Sequence, residues 1–308
     1  MRRRLDAVLL LDKPRGMTSN AALQVAKRLF SAEKAGHGGT LDPLASGLLP
    51  VLFGEATKFS QFLLDSGKEY LAEVQLGVST STGDAEGEVT ARRAVDPSDA
   101  AIESALARFR GEFEQIPPMH SALKRNGRPL YELARKGAVV AREPRRVAVR
   151  TLELLDRAHQ VLHLRVACSK GTYVRTIAED LGAALGTGAH LAALRRTAAG
   201  RFTIKQAVTL ECIAGTDVAA RERLLFPLDA LLQSLPCVQL DQARARSFSH
   251  GQPVPHTPGP GGRCRVYGED EMLLGVGETS PAGEVRPVRL LARSPSASQA
   301  AEIARKNL

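Results

Sequence analysis

The chain is 308 residues long with 44% hydrophobic residues, enough for a large domain plus a small one, so wholesale disorder is excluded. Its net charge of +9 is typical of proteins with a polyanionic partner. No stretch approaches the roughly 18 apolar residues that span a bilayer, and the apolar run 7–11 is shorter than a signal-peptide core. We therefore expect a cytoplasmic protein without a membrane partner.

The N-terminal segment begins with a short buried strand over residues 8–11, and a helix is predicted over 20–30. Thr18 or Ser19 would cap that helix at its N-terminus. Lys13 stands beside the intervening glycine-containing turn, so it could hold a phosphate near the helix start.

The stretch 38–47, with sequence GGTLDPLASG, isolates one carboxylate in an apolar turn. No other Asp, Glu or Lys lies between residues 35 and 54, and Pro43 disfavours helical torsions at Asp42. An Asp-Pro pair also begins ordinary helices, with Asp as the N-cap and Pro in the first helical position. A capping role and a catalytic role for Asp42 are both open at this point.

Residues 68–78 predict a half-buried strand, because apolar side chains alternate along them. One face of that strand would carry Tyr70, Ala72, Val74, Leu76 and Val78.

Segment 118–147 interrupts this pattern and is predicted to be a basic arm inserted in the core. Residues 121–150 carry nine Lys or Arg, Lys124 and Arg125 among them, against two Glu, so most of the net positive charge lies there. A solvated basic face is one interpretation. Nucleic acid is the most common ligand of such an arm, and we favour that interpretation.

A second alternating strand is predicted over 162–168, followed by a helix over 177–185. Tyr173 and Arg175 lie between them, and in an extended segment their side chains would point to the same side. Alternatively, Tyr173 packs in the core and Arg175 pairs with a carboxylate of the following helix, Glu179 or Asp180.

The mixture of strands and helices without a regular βαβ repeat predicts an α+β fold. We expect a core with a mixed, mostly antiparallel sheet over residues 1–235, with the basic arm inserted at about 118–147. A small β-rich module would occupy 236–308, where Pro and Gly become frequent. The four cysteines show no metal-ligand spacing, which indicates reduced thiols and no zinc site.

Three strings resemble, in order, the motifs of the TruB family of pseudouridine synthases: LDKPRGMTS at 11–19, GGTLDPLASG at 38–47 and GTYVR at 171–175. The strings IPPMHSALK at 116–124 and LRRT at 194–197 fit the same pattern. The C-terminal module resembles the PUA domain of these enzymes. The resemblance covers nearly the whole chain. On these motifs the chain is identified as similar to the bacterial members of the family.

The resemblance implies that the chain isomerises uridine to pseudouridine at position 55, in the T arm of tRNA, without a cofactor or metal. Asp42 would be the catalytic aspartate, Arg175 its ion-pair partner, and Tyr70 the aromatic side chain that stacks on the base. The implied substrate-binding residues are His37, Tyr173, Leu194, Lys13, Lys124 and Arg125. A monomer that needs no protein partner is expected.

The chemistry of the reaction leaves two points open. An aspartate is ionised at neutral pH, so Asp42 could act as a nucleophile on the ribose or the base, or remove a ribose proton. The same scaffold could also serve a non-catalytic RNA-binding or tRNA-folding factor. Only the joint presence of Asp42, Tyr70 and Arg175 argues against that alternative, because a pure binder does not need all three.

Overall fold

The computed structural model describes residues 2–94, 96–121, 123–125, 127–135, 137–138 and 140–292. Parts of the predicted arm, the side chain of Lys124 and the end of the predicted C-terminal module, 293–308, lie outside the described residues. None of the described helices is long and apolar enough to cross a membrane.

The secondary structure alternates between strands and short helices along the chain. The strands are β1 (Ala7–Lys13), β2 (Ala35–His37), β3 (Ala45–Phe53), β4 (Lys68–Leu76), β5 (Val78–Thr80), β6 (Val89–Arg92), β7 (Gly111–Gln115), β8 (Lys124–Arg125), β9 (Arg128–Pro129), β10 (Arg145–Ala158), β11 (Val161–Cys168), β12 (Ala189–Ala199), β13 (Phe202–Thr203), β14 (Leu225–Pro227), β15 (Cys237–Gln239), β16 (Val254–Pro255), β17 (Gly262–Tyr267), β18 (Leu273–Thr279) and β19 (Glu284–Leu290). The helices are α1 (Ser19–Leu29), α2 (Ser60–Leu64), α3 (Asp99–Ala107), α4 (Leu130–Arg135), α5 (Val174–Ala184), α6 (Leu210–Gly215) and α7 (Gln242–Ser249).

A large mixed sheet forms the core of the protein. Its strands follow the order β14-β1-β3-β12-β4-β11-β10-β7, with β2 also paired to β3 and β13 to β12. These pairs are antiparallel except β3–β12, which is parallel. The predicted α+β fold with a mixed, mostly antiparallel sheet is confirmed.

Two hydrophobic clusters lie side by side on one face of this sheet. One joins β4, β10, β11 and β12 to helices α3 and α5. The other joins β1 and β3 to helices α1 and α6. Tyr70 and Leu194 pack partly buried against both clusters, so they mark the junction between the two halves of the face.

Local signals account for several element ends. Thr18 caps α1, its side-chain oxygen accepting from the backbone N–H of Ala21 at 3.0 Å, as the sequence predicts. The prediction for residues 68–78 is wrong at its end. Strand β4 stops at Leu76, Gly77 turns the chain with a φ of +79°, and Val78 belongs to the separate strand β5.

The basic arm connects two strands that are neighbours in the sheet. It leaves after Gln115, at the end of β7, and returns at Arg145, which is the register partner of Gln115 in β10. Its described residues include the hairpin β8–β9 and helix α4.

The C-terminal residues form a second sheet of order β15-β17-β18-β19-β16, with α7 packed against it. Asp241 caps α7 by accepting from the N–H of Arg244 at 2.8 Å. Val276 packs in a cluster with Val8 and Leu10 on the other face of the large sheet, so the two sheets share apolar contacts.

Candidate active site

Asp42 lies in a β-turn between β2 and β3. The N–H of Ala45 donates to the carbonyl of Asp42 at 3.0 Å, and Pro43 occupies the second position of the turn. The chain continues from Ala45 directly into β3. The alternative in which Asp42 caps a helix is therefore wrong, because no helix follows it.

The N-terminal motif, residues 11–19, is hydrogen-bonded to the backbone of the turn. The hydroxyl of Ser19 accepts from the N–H of Leu41 at 2.7 Å and donates to its carbonyl, 2.9 Å away. The N–H of Gly16 donates to the carbonyl of Pro43 at 2.8 Å. Two of the family-like strings are thus packed together, and the first one fixes the backbone on both sides of Asp42.

Arg175 binds two carboxylates, one on each of its terminal nitrogens. One terminal nitrogen, Nη2, contacts Oδ2 of Asp42, and the other, Nη1, lies 3.1 Å from Oδ2 of Asp84. The side chains of Arg175 and Asp84 are 7% and 4% exposed, whereas that of Asp42 is 50% exposed. Asp42 is therefore the accessible carboxylate of a cluster whose other members are buried.

The position of Arg175 in the chain differs from the prediction. Helix α5 begins at Val174, so Arg175 lies in its first turn and not in an extended segment. Its ion pairs run to Asp42 and Asp84, and the alternative pairing with Glu179 or Asp180 is wrong.

Asp84 is a site residue that the sequence analysis did not find. Its Oδ1 accepts from the hydroxyl of Thr82 at 2.6 Å and from the N–H of Glu86 at 3.1 Å. Burial of a guanidinium costs free energy unless an opposite charge compensates it. Asp84 supplies that negative charge independently of the contact between Arg175 and Asp42. No local signal distinguishes it, since it sits in a polar turn far along the chain from Arg175.

Tyr70 faces Arg196, its register partner across β4 and β12. Burial raises the pKa of Tyr70, while the charge of Arg196 opposes that effect, so the phenol is protonated at neutral pH. The LRRT string drew attention to this part of β12, but the sequence analysis gave no role to Arg196. Strand alternation indicates that one of two adjacent arginines points inward, without telling which.

Tyr173 occupies the N-cap position of α5, next to Val174. The side chain of Gln115 bonds its backbone twice: Nε2 donates to the carbonyl of Tyr173 at 3.1 Å, and Oε1 accepts from its N–H at 2.8 Å. Gln115 is 2% exposed. This buried amide ties the point where the arm leaves the sheet to the start of the helix that carries Arg175.

Lys13 and His37 lie near the turn but are not freely exposed. The Lys13 ammonium is buried and donates to the carbonyls of Pro14 and Met17 at 2.9 and 2.6 Å. Burial lowers the pKa of Lys13 to about 8, with Asp42 acting in the opposite direction. Burial and then the charge of Arg196 lower the pKa of His37. The predicted phosphate contact of Lys13 stays a prediction.

The remaining predicted residues lie on either side of this centre. Leu194 stands in β12 between Ala45 of β3 and Ala72 of β4. Arg125 is exposed in the arm hairpin, and its guanidinium donates to the carbonyl of Ala141. Within the described residues, no group of three or more His, Cys, Asp or Glu side chains is placed to hold a metal ion.

Comparison with protein-family models matches three consecutive parts of the chain. Residues 27–174 match "TruB family pseudouridylate synthase (N terminal domain)", 175–233 match "tRNA pseudouridylate synthase B C-terminal domain", and 236–291 match "Pseudouridine synthase II TruB, C-terminal". A protein of Dechloromonas aromatica, "tRNA pseudouridine synthase B", is 56% identical over 289 residues, covering 94% of this chain and 96% of its own. The chain belongs to the TruB family of pseudouridine synthases.

Other relatives of this TruB-family chain agree. A Burkholderia mallei protein of the same name is 56% identical over 297 residues, covering 94% of this chain and 98% of its own. A solved Cbf5-Nop10-Gar1 complex contains a chain with 27% identity and a TM-score of 0.70, matched over 94% of this chain and 84% of that one. Pseudouridine synthases are isomerases, so this protein is an enzyme of the isomerase class.

Proposed function

We propose that this TruB-family enzyme isomerises uridine 55 in the T arm of tRNA to pseudouridine, acting as a monomer without a protein partner. The relatives named "tRNA pseudouridine synthase B" support tRNA as the substrate. The observation that carries the proposal is the half-exposed carboxylate of Asp42, bound to a buried guanidinium that a second carboxylate neutralises.

In the proposed reaction the bond between N1 of the uracil and C1′ of the ribose breaks, and the uracil rotates. A bond between C5 and C1′ then forms, the C5 proton leaves to solvent, and N1 takes up a proton, so that the product is an isomer of the substrate. Asp42 is the ionised group that acts on the ribose or the base, and Arg175 holds it in one orientation. Asp84 keeps Arg175 in place when Asp42 is engaged with substrate.

A uridine inside folded tRNA is out of reach, so the enzyme must flip it out of its stack at a cost of a few kcal/mol. Tyr70 stands at the junction of the two core clusters, beside the Asp42 turn. Stacking of the base on an aromatic ring would return about 1–3 kcal/mol. His37, Tyr173 and Leu194 would line the space around the extruded nucleotide.

The first test uses a tRNA transcript tritiated at C5 of its uridines, with release of tritium to water as the signal. Asp42→Asn should abolish release while tRNA affinity stays within about threefold, because the lost group acts in the chemical step. Asp96→Asn is the matched control, since Asp96 is an exposed carboxylate paired with Arg157.

A second transcript with cytidine at position 55 tests the site of modification, and it should release no tritium. Continued release from that transcript would contradict the proposed position. Tight tRNA binding without release from any transcript would favour the non-catalytic RNA-binding factor instead.

The arm is proposed to grip the tRNA backbone through Lys124 and Arg125. Changing both to Glu should raise the apparent KM and reduce the slope of log affinity against log salt by about 2, because two phosphate contacts are lost. Arg201→Glu with Lys205→Glu reverses two exposed charges outside the arm and serves as control. Equal affinities for the two double variants would remove the arm from the binding surface.

A further inference from the structure

Arg196 is a cation in the core that has no anionic partner among the described residues. It is 1% exposed, and within the described part of the chain no carboxylate lies within ion-pair distance of it. Arg175 and Arg195, by contrast, are paired with carboxylates: Arg175 with Asp42 and Asp84, and Arg195 with Asp12. Burying a charge without a counter-charge costs free energy unless hydrogen bonds satisfy the charged group. The hydrogen bonds of Arg196 therefore indicate what this side chain does.

The guanidinium of Arg196 donates hydrogen bonds to backbone carbonyls on both sides of the Asp42 turn. Nε donates to the carbonyl of Leu48 at 2.7 Å, Nη2 to that of Gly39 at 3.1 Å and Nη1 to that of Thr40 at 3.4 Å. Two of these carbonyls precede Asp42 in the chain and one follows it. A single planar fork therefore clamps both ends of the segment that carries the carboxylate, a geometry that the point charge of a lysine cannot reproduce.

The same side chain also interacts with Tyr70. The two residues are register partners across β4 and β12. Burial lowers the pKa of the Arg196 guanidinium, and the Tyr70 hydroxyl partly offsets that effect. The clamp therefore fixes the Asp42 turn to the strand that carries the stacking ring.

We propose that Arg196 is a positioning residue for pseudouridine formation, which holds the Asp42 turn and the Tyr70 ring in a fixed relation. This role rests on the proposed function of Asp42 and Tyr70. Misplacing a reacting group by about 1 Å costs on the order of 100-fold in rate. The loss should appear in the chemical step, because Arg196 itself is too buried to touch the tRNA.

Arg196→Lys is the decisive variant, because it keeps the charge and removes the fork. Its single-turnover rate of tritium release should fall at least about tenfold, with the Kd for tRNA within about threefold of the unsubstituted protein. Arg195→Lys is the matched control: it changes the neighbouring arginine, whose partner is Asp12, and its rate should stay within about threefold. A full rate in Arg196→Lys, or an equal loss in Arg195→Lys, would overturn the proposal.

A measurement independent of activity separates this proposal from the proposed function. Two amides report on the turn: that of Leu41, which donates to the Ser19 hydroxyl, and that of Ala45, which donates to the Asp42 carbonyl. Their hydrogen exchange should accelerate in Arg196→Lys and stay unchanged in Arg195→Lys. If the unsubstituted protein releases no tritium, the proposed function fails, and exchange still reports whether Arg196 holds the turn. Unchanged exchange in Arg196→Lys would refute the clamp even in an active enzyme.

Discussion

Lys68 shows how a single buried cation can serve the fold away from the chemistry. Its ammonium donates to the carbonyls of Leu63, Leu64 and Ser66 at 2.8, 2.8 and 2.7 Å. These carbonyls lie at the end of α2, where unpaired acceptors collect and a cation is favourable. Burial lowers the pKa of Lys68 to about 8, and the nearby charge of Arg196 acts in the same direction.

This lowered pKa predicts a pH dependence of stability. Below about pH 8 both the folded and the unfolded chain hold Lys68 protonated, so the cost of burying its charge is fully present. Between about pH 8 and 10.5 the folded chain has lost the proton while the unfolded chain keeps it, so stability rises with pH. Relative to Lys68→Met, the native protein should gain on the order of 3 kcal/mol across that window.

Urea unfolding at a series of pH values measures this difference, with the exposed Lys34→Met as control. A difference between the native protein and Lys68→Met that does not change with pH would contradict the prediction.

At the residue scale, the isolation of Asp42 between apolar residues and a proline is local information that drew attention to this carboxylate, and the family resemblance gave it a catalytic role. Arg175 was assigned to Asp42 only through the family resemblance. Asp84 and Arg196 stayed hidden, since the first acts through a partner distant in sequence and the second through backbone carbonyls that leave no trace in the residue pattern.

At the level of elements, the only parallel pairing in the large sheet among the described strands, β3 with β12, depends on a close backbone approach. Gly47 has a φ of +99°, and a Cβ added there would lie 2.3 Å from the carbonyl oxygen of Arg196. A side chain at this position would therefore force the two strands apart.

Gly47→Ala should lower the free energy of unfolding by at least about 2 kcal/mol, through strain and loss of pairing. Gly215→Ala is the matched control, because a Cβ at Gly215 in α6 meets nothing within 4 Å. Chemical denaturation of both variants measures the difference. Equal stabilities would show that the strands can separate without cost.

Two elements that sequence reasoning missed or misplaced have different causes. Strand β3 was not predicted because Pro50 lies inside it, and proline is rare in strand interiors. Its carbonyl accepts from the N–H of Gly38 at 2.9 Å, so the position still contributes to the sheet. Helix α5 starts earlier than predicted because Gln115, a tertiary contact, holds the backbone of its N-cap residue.

On the scale of the whole molecule, polar bonds join the C-terminal sheet to the core. The hydroxyl of Tyr267 donates to Oδ2 of Asp229 at 2.7 Å, Lys58 donates to the carbonyl of Leu290 at 3.0 Å, and the N–H of Ala292 donates to Glu55 at 2.6 Å. Burial, followed by Asp229, raises the pKa of Tyr267, so this phenol stays a donor at any physiological pH.

Removing one of these hydrogen bonds should weaken the contact between the C-terminal sheet and the core without unfolding either sheet. Tyr267→Phe should cost about 1 kcal/mol, the net value of a typical hydrogen bond. A double-mutant cycle with Tyr267→Phe, Asp229→Asn and the double variant, each measured by urea unfolding, gives the interaction free energy of the two side chains. Additive single effects would mean that the two side chains do not stabilise each other.

The arm leaves and rejoins the sheet at two strands that already pair with each other, Gln115 facing Arg145. The closure entropy of such a connection grows only with the logarithm of its length. Insertions and deletions within the arm therefore change its closure entropy only slightly. If the arm contacts the tRNA as proposed, that contact can change through the length of one surface segment, at little cost to the pairing of β7 with β10.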